Sequence, residues 1–319
     1  MRKISATYIF PGNKPPLKNS ILICNNTGKI IDLINTGEHL KEAAGLEYYN
    51  GIITPGFINA HCHLELSHLK GKIQVRSGIG EFIGAINKLR NREEEQVVAA
   101  IRKADKQLLA EGVVAVGDIS NSILTLNTKR DSKVYYHTFA EAFGFHPSRA
   151  EKAFDFAGFT EKIFRENQLA ASMVPHSAYS VSEPLFKKIS KKATTEKSLL
   201  CIHNQEGEAE ALFLKKGTGP IAYHLKTNLG IDISHWKPPD ENSLATILKY
   251  LSEKNQLLLV HNTFTNEADI EILKSRRKTE NTFLVLCPNS NLNIENKLPD
   301  VSLFRKHNLN ICLGTDSLA

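Results

Sequence analysis

His61 and His63 flank Cys62, and in an extended chain successive side chains point to opposite faces, so both imidazoles fall on one side and Cys62 on the other. Two nitrogens placed that way can meet one cation. His203 follows an apolar run from Ser198, and Asp316 follows another from Asn310 to Gly314, which adds a third nitrogen and a carboxylate oxygen. Three imidazoles and a carboxylate suit one divalent metal, zinc first and ferrous iron second, with a position left for water. Asp316 also suits a second task, taking the proton released when a metal lowers the pKa of its water to about 7. Glu206 comes three residues after His203, at the entry of a helix predicted from near Gly207, where a carboxylate can shuttle protons without holding the metal. A carboxylate there also suits the helix dipole. His261 ends the run Leu257-Leu258-Leu259-Val260-His261. Taken singly, a His-x-His pair or a strand-end histidine is ordinary; the joint arrangement is what points to a metal site.

Something must bring these residues together. Beyond about residue 56, apolar strand-sized runs alternate with charged helical stretches, the pattern of βα units around a parallel sheet. The runs are Gly56–His61, Val113–Asp118, Val134–Ala140, Ala171–Pro175, Ser198–His203, Leu257–His261, Phe283–Cys287 and Asn310–Gly314. Helices are predicted between them, for example over Glu93–Ala110 and over Glu208–Lys216, the latter stopped by Gly217. Eight strands with crossovers predict a closed α/β (β/α)8 TIM barrel, whose chemistry lies at the C-terminal strand ends. The polar residues fall there: His61 and His63, Asp118, Glu141, His176, His203 with Glu206, His261, Asn289 and Asp316. Glu141 and Asn289 are candidate substrate contacts on strand position alone. Residues 1–55 read instead as short alternating β segments between Gly, Asn and Pro turns, a small all-β lobe ahead of a barrel over 56–319. The chain reaches Ala319 three residues after Asp316, so no helix follows the eighth strand, and the expectation is a piece of a longer protein.

Composition excludes several other classes. With 319 residues, 41% hydrophobic and 23% charged, the chain reads as folded, and no apolar run approaches the roughly 20 residues that span a bilayer. The first residues carry charge but no apolar core for a secretory signal, because Pro11, Gly12, Asn13 and Lys14 intervene, so a cytoplasmic location is expected. Five scattered cysteines predict reduced thiols. The net charge of +6 is spread along the chain, with no basic stripe interleaved with aromatics, which argues against nucleic acid as a partner.

Four stretches together carry a family resemblance: Pro55-Gly56-Phe57-Ile58-Asn59-Ala60-His61-Cys62-His63, His203-Asn204-Gln205-Glu206, Val260-His261-Asn262 and Gly314-Thr315-Asp316-Ser317. In order and along essentially the whole chain, they resemble the amidohydrolase superfamily, in the branch of mononuclear deaminases and chlorohydrolases that includes adenosine-type and aminofutalosine deaminases. The resemblance implies that His61, His63, His203 and Asp316 bind the metal, that Glu206 moves protons, and that His261 orients hydroxide or stabilises the adduct. It implies that residues 1–55 form a β-sandwich lobe completed by later strands. Val174-Pro175-His176 has no lysine where other branches bridge two metals, which argues for one ion. His176 resembles a histidine that contacts substrate in adenosine-type deaminases, and Glu65, in His63-Leu64-Glu65-Leu66-Ser67, resembles a ligand-facing stretch of aminofutalosine deaminases.

The expected activity is hydrolytic deamination of an aminated heterocycle, a small purine-nucleoside-like molecule of aminofutalosine or adenosine type, with no organic cofactor. Chloride or cyclic-amide hydrolysis by the same centre is the alternative within enzymes, and a catalytically silent metal-binding barrel the alternative outside them. A homodimer is plausible from the family.

Overall fold

The computed structural model describes residues 1–90 and 92–317, and the chain divides into two compact units, Met1–Phe57 and Ile58–Ala319. In the first, β1 (Arg2–Ile9) pairs antiparallel with β2 (Leu17–Lys18) and β3 (Ile21–Cys24), β3 pairs antiparallel with β4 (Ile30–Ile34), and β5 (Leu46–Ile53) lies parallel to β1. The turn between β3 and β4 is set by Asn25, whose Oδ1 accepts from the backbone N–H groups of Thr27 and Lys29, while Gly28 takes the left-handed conformation at φ 82°. These strands make one sheet. This single layer leaves Ile30, Ile31, Tyr49 and Ile52 exposed.

The second unit carries eight strands: β6 (Phe57–Cys62, starting at the unit boundary), β7 (Val113–Ser120), β8 (Tyr135–Ala142), β9 (Ala170–Pro175), β10 (Leu200–Asn204), β11 (Leu257–His261), β12 (Thr282–Leu286) and β13 (Asn310–Leu313). They form two four-stranded sheets in the orders β6-β7-β8-β9 and β10-β11-β12-β13. Single parallel bridges, Ser177 to His203 and Cys62 to Asp316, link the last strand of each sheet to the first of the other. Every crossover contains a helix, among them Glu94–Ala110, Ala150–Glu166, Glu183–Glu196, Glu208–Lys216 and Glu267–Arg276. Glu208–Lys216 does stop at Gly217, which takes φ 66°.

The strands bury both faces, and alternate residues enter different cores. Leu200, Ile202, Leu257, Leu259, Leu284 and Leu286 pack with helix residues such as Leu185, Ile189 and Phe304. The residues between them, Cys201, Leu258, Val260 and Val285, meet Ile119, Phe139 and Val174 from β7, β8 and β9. A core made of strand residues alone, contributed by so many strands, is the inside of the sheet assembly, and it forms the floor beneath the strand ends. Among the described residues no helix is long and apolar enough to cross a membrane.

Candidate active site

The seam between β6 and the segment after β13 fixes two of the expected ligands against each other. The backbone N–H groups of Thr315 and Asp316 both donate to the His61 carbonyl at 3.0 Å, and the Asn59 amide exchanges hydrogen bonds of 3.0 and 2.8 Å with the Thr315 N–H and hydroxyl. Gly314 makes this approach possible, since a Cβ there would lie 2.9 Å from both the Cβ and the carbonyl oxygen of His61 and 3.0 Å from Cys287 Sγ. Gly314→Ala is expected to destabilise the protein by about 1–3 kcal/mol through overpacking and to weaken metal binding. Thermal denaturation and metal titration check it, and wild-type values in both would show that the seam yields freely.

Cys62 packs outward with Val97 and Ile101, so its neighbours His61 and His63 both turn inward. His63 Nε2 lies 3.2 Å from His61 Nε2, 3.3 Å from His203 Nε2 and 3.3 Å from Asp316 Oδ1, and His61 Nε2 lies 3.4 Å from the same oxygen. A tetrahedral metal about 2.0–2.1 Å from its donors holds them about 3.3–3.4 Å apart, so these four side chains fit one divalent ion. His203 is oriented for it, because its Nδ1 donates to the His176 carbonyl at 3.0 Å and leaves Nε2 with a bare lone pair. Burial keeps the three imidazoles neutral, pushing His63 down to about 3 and His61 and His203 below the usual range. Burial opposes the charge on Asp316 most strongly of any single cause, but the hydrogen bond with His61 and the electrostatic pull of His63, His261 and His61 together outweigh it and hold the carboxyl well below the usual range. Neutral imidazoles beside a carboxylate are the protonation state a metal requires. Asp316 is further fixed by the Ser290 hydroxyl, which donates to Oδ2 at 2.5 Å.

A ring nitrogen of His261 also lies within 4.8 Å of the donor atoms of His61, His203 and Asp316. His63 Nε2, at 3.2–3.3 Å from three of these donors, has the spacing that suits a shared ion, and His261 faces the same site. Asn291 Oδ1 accepts the His261 Nδ1–H at 2.9 Å, so Nε2, which has no partner, presents a lone pair. Glu206 Oε1 is 3.6 Å from that nitrogen. Burial first, and then the charges of Asp316, Glu210 and Glu295, push Glu206 well above the usual carboxylate range. The backbone turns sharply here: Gln205, His261, Asn262 and Asp316 all have φ between 49° and 74°. Left-handed conformations at four non-glycine residues cluster where function demands a fixed geometry.

Beside this cluster lies a cavity of about 280 Å³ whose lining includes His63, Glu141, Phe143, His176 and Tyr179 among mostly apolar neighbours. His176 packs on Phe143 with ring centroids 4.3 Å apart and bonds Ser180 Oγ through Nδ1 at 2.6 Å. Glu141 accepts from Asn121 Nδ2 at 3.0 Å, and burial pushes it up to about 8. Two expected substrate contacts lie elsewhere. Glu65 is not among the cavity's lining residues, because its carboxylate is held by the Asn121 N–H and the Ser122 hydroxyl at 3.2 and 2.8 Å, which fixes the turn that carries Asn121. Asn289 is exposed; a helix begins at Pro288, so side chains there rotate by about 100° per residue rather than alternate, and Ser290 and Asn291 turn inward instead. Asp118 does structural work, accepting from the Leu64 N–H at 2.7 Å and pairing with fully buried Lys129 at 2.6 Å.

Inward-facing imidazoles and a carboxylate meet at parallel strand ends beside a buried glutamate, a donor set suited to a divalent metal and to hydrolytic chemistry. Over residues 52–319 the chain matches the amidohydrolase family, and it belongs to that family. It is 28% identical over 274 residues to an adenosine deaminase of Helicobacter pylori, covering 85% of this chain and 65% of that protein. It is 29% identical over 305 residues to an aminodeoxyfutalosine deaminase of Nitratiruptor sp., covering 91% and 70%. Its fold is similar to the solved structure of Helicobacter pylori aminofutalosine deaminase in complex with methylthio-coformycin, with TM-score 0.84, 23% identity, and coverage of 100% of this chain and 77% of that one. The chain thus spans about two thirds of the length of the curated relatives it matches.

Proposed function

We propose that this chain is the catalytic part of a metal-dependent deaminase that hydrolyses the amine from a purine-nucleoside-like substrate of aminofutalosine or adenosine type, on a closed (β/α)8 barrel. The observation that carries it is Glu206, 3.6 Å from an unpartnered His261 nitrogen, beside four converging metal donors and a largely apolar cavity. Relatives named for adenosine and aminodeoxyfutalosine deamination support the substrate class.

When bound, a divalent metal, zinc by preference for three imidazoles and one carboxylate, supplies Lewis acidity and makes a water acidic enough to react near neutral pH. The residues do the rest. His261 Nε2 accepts a hydrogen from that water and turns it toward the amine-bearing ring carbon. As the water oxygen bonds to the carbon, one water proton passes to His261 and Glu206 gives its own proton to the adjacent ring nitrogen. Glu206 then carries the added hydroxyl's proton to the leaving amine, and the proton on His261, 3.6 Å away, restores Glu206. The carbon–nitrogen bond breaks, ammonia departs and a ring carbonyl remains. Glu141 and His176, on the cavity wall, hold the heterocycle, and apolar neighbours exclude bulk water. Five free thiols fit a reducing, cytoplasmic setting.

The test is ammonia release by the full-length, metal-loaded protein against adenosine, aminofutalosine, guanine, cytosine and chlorinated heterocycles. Metal-dependent ammonia from a purine nucleoside is expected. Chloride without ammonia would replace deamination by chlorohydrolysis, and no product from any compound would overturn the enzymatic reading.

A further inference from the structure

Helix Gly78–Leu89 forms one wall of the cavity, through Gly80, Ile83, Ile86 and Asn87 at helical spacing. The opposite wall is the segment from Pro220 to Asn228, where a turn of α-helix, Pro220–Tyr223, runs directly into a turn of π-helix, His224–Asn228. It contributes Ile221, His224 and Leu225 to the lining. π turns are rare, and they concentrate at functional sites.

The two walls meet at two points. Gly80 abuts Pro220 so closely that a Cβ on Gly80 would lie 2.2 Å from Pro220 Cβ. Two turns further along the helix, the Asn87 side-chain amide lies 3.1 Å from His224 Nε2, and His224 Nδ1 lies 3.0 Å from the amide of Asn228. Burial keeps His224 neutral, so its ring has one N–H and one bare nitrogen, and one asparagine donates while the other turns its carbonyl oxygen to accept. Hydrogen bonds therefore run unbroken from the helix through the imidazole to the π turn.

Elsewhere the helix is lightly held. Its buried side chains Ile79 and Phe82 join Ile294 in a small cluster, with Ile73, Ile83, Ile86 and Ala209 packed against it, separate from the large core behind the strands. Its first turn is tied by the Ile79 N–H donating to Glu295 Oε1 at 2.7 Å. The segment leading into it carries Gly71 and Gly78 in the left-handed region, at φ 70° and 77°. Elements with few buried contacts open locally before the rest of a fold does, and hinges sit at residues that absorb large backbone changes.

We propose that helix Gly78–Leu89 is a lid on the cavity, that Asn87, His224 and Asn228 are its clasp, and that substrate enters and product leaves as the clasp parts and the helix swings about Gly71 and Gly78. This rests on reading the cavity as the substrate site. Hydrogen exchange measured by mass spectrometry on the full-length protein, with and without methylthio-coformycin, tests it. Without ligand, Asn87→Ala is expected to speed exchange of the amides of residues 81–89 about fivefold, the loss of roughly one hydrogen bond, and to leave helix Glu183–Glu196 unchanged. Gly80→Ala, which drives a methyl group into Pro220, should act in the same direction without touching the clasp. Methylthio-coformycin should slow the same amides in the unsubstituted protein. Unchanged exchange in both variants would overturn the lid, as would bound inhibitor, seen as a thermal shift, that leaves the helix amides unprotected. If methylthio-coformycin does not bind, the adenosine-type substrate class fails, and the two variants still decide the lid.

Discussion

Glu206→Gln is expected to keep its metal and to lose turnover by about 10²–10⁴-fold, the range that general acid–base catalysis contributes. Glutamine preserves the shape of the side chain and its place beside His261, where Glu206 Oε1 lies 3.6 Å from Nε2. It cannot give up and recover a proton. The substitution also removes a group whose charged form burial and three neighbouring carboxylates disfavour, so the fold should be undisturbed or slightly more stable. Steady-state kinetics with metal analysis on the same sample decides the matter. Turnover near wild type would remove Glu206 from the chemistry, and loss of metal would make it a ligand.

His61→Ala should have the other large effect, weakening metal binding by more than about 100-fold, beyond the 10–100-fold that residues behind the ligands contribute, and abolishing turnover with it. His61 is fully buried, and its Nε2 lies close to both His63 Nε2 and Asp316 Oδ1. Its removal leaves the inward ring of donors open on the β6 side. Asn291→Ala is the informative contrast, because it frees the His261 ring without touching a donor and should lower turnover while metal stays bound. Undiminished metal in His61→Ala would exclude it as a ligand.

Much of the strand framework was legible because parallel strands buried on both faces are written as continuous apolar runs. Leu257–His261 has the predicted ends, and the other seven runs shift by only one or two residues. The convergence of His61, His63, His203 and Asp316 followed from the same logic, since strand ends at one rim meet. What escaped was everything set by helical or turn geometry just beyond the strands. Asn289 looked right by position, but the helix starting at Pro288 turns Ser290 and Asn291 inward in its place. Glu65 sits on a tight 3₁₀ turn, Leu64–Leu69, that directs its carboxylate to Asn121 and Ser122. Asn87 and His224 belong to helical cavity walls with no strand-end signature, and only their pairing across the cavity marks them. Alternation in the first 55 residues predicted strands, and those strands make one sheet.

The cavity wall and the metal donors are supplied by different pieces of chain. Ile83, Ile86, Ile221, Leu225 and Leu229 line the cavity, and none of them lies on a strand or next to a donor. Substrate preference in this scaffold is therefore open to redesign without disturbing the reaction centre: a combinatorial library confined to the wall positions should return variants with new selectivity and unaltered metal occupancy. Natural drift along the same positions would let one catalytic apparatus serve several aminated compounds in turn.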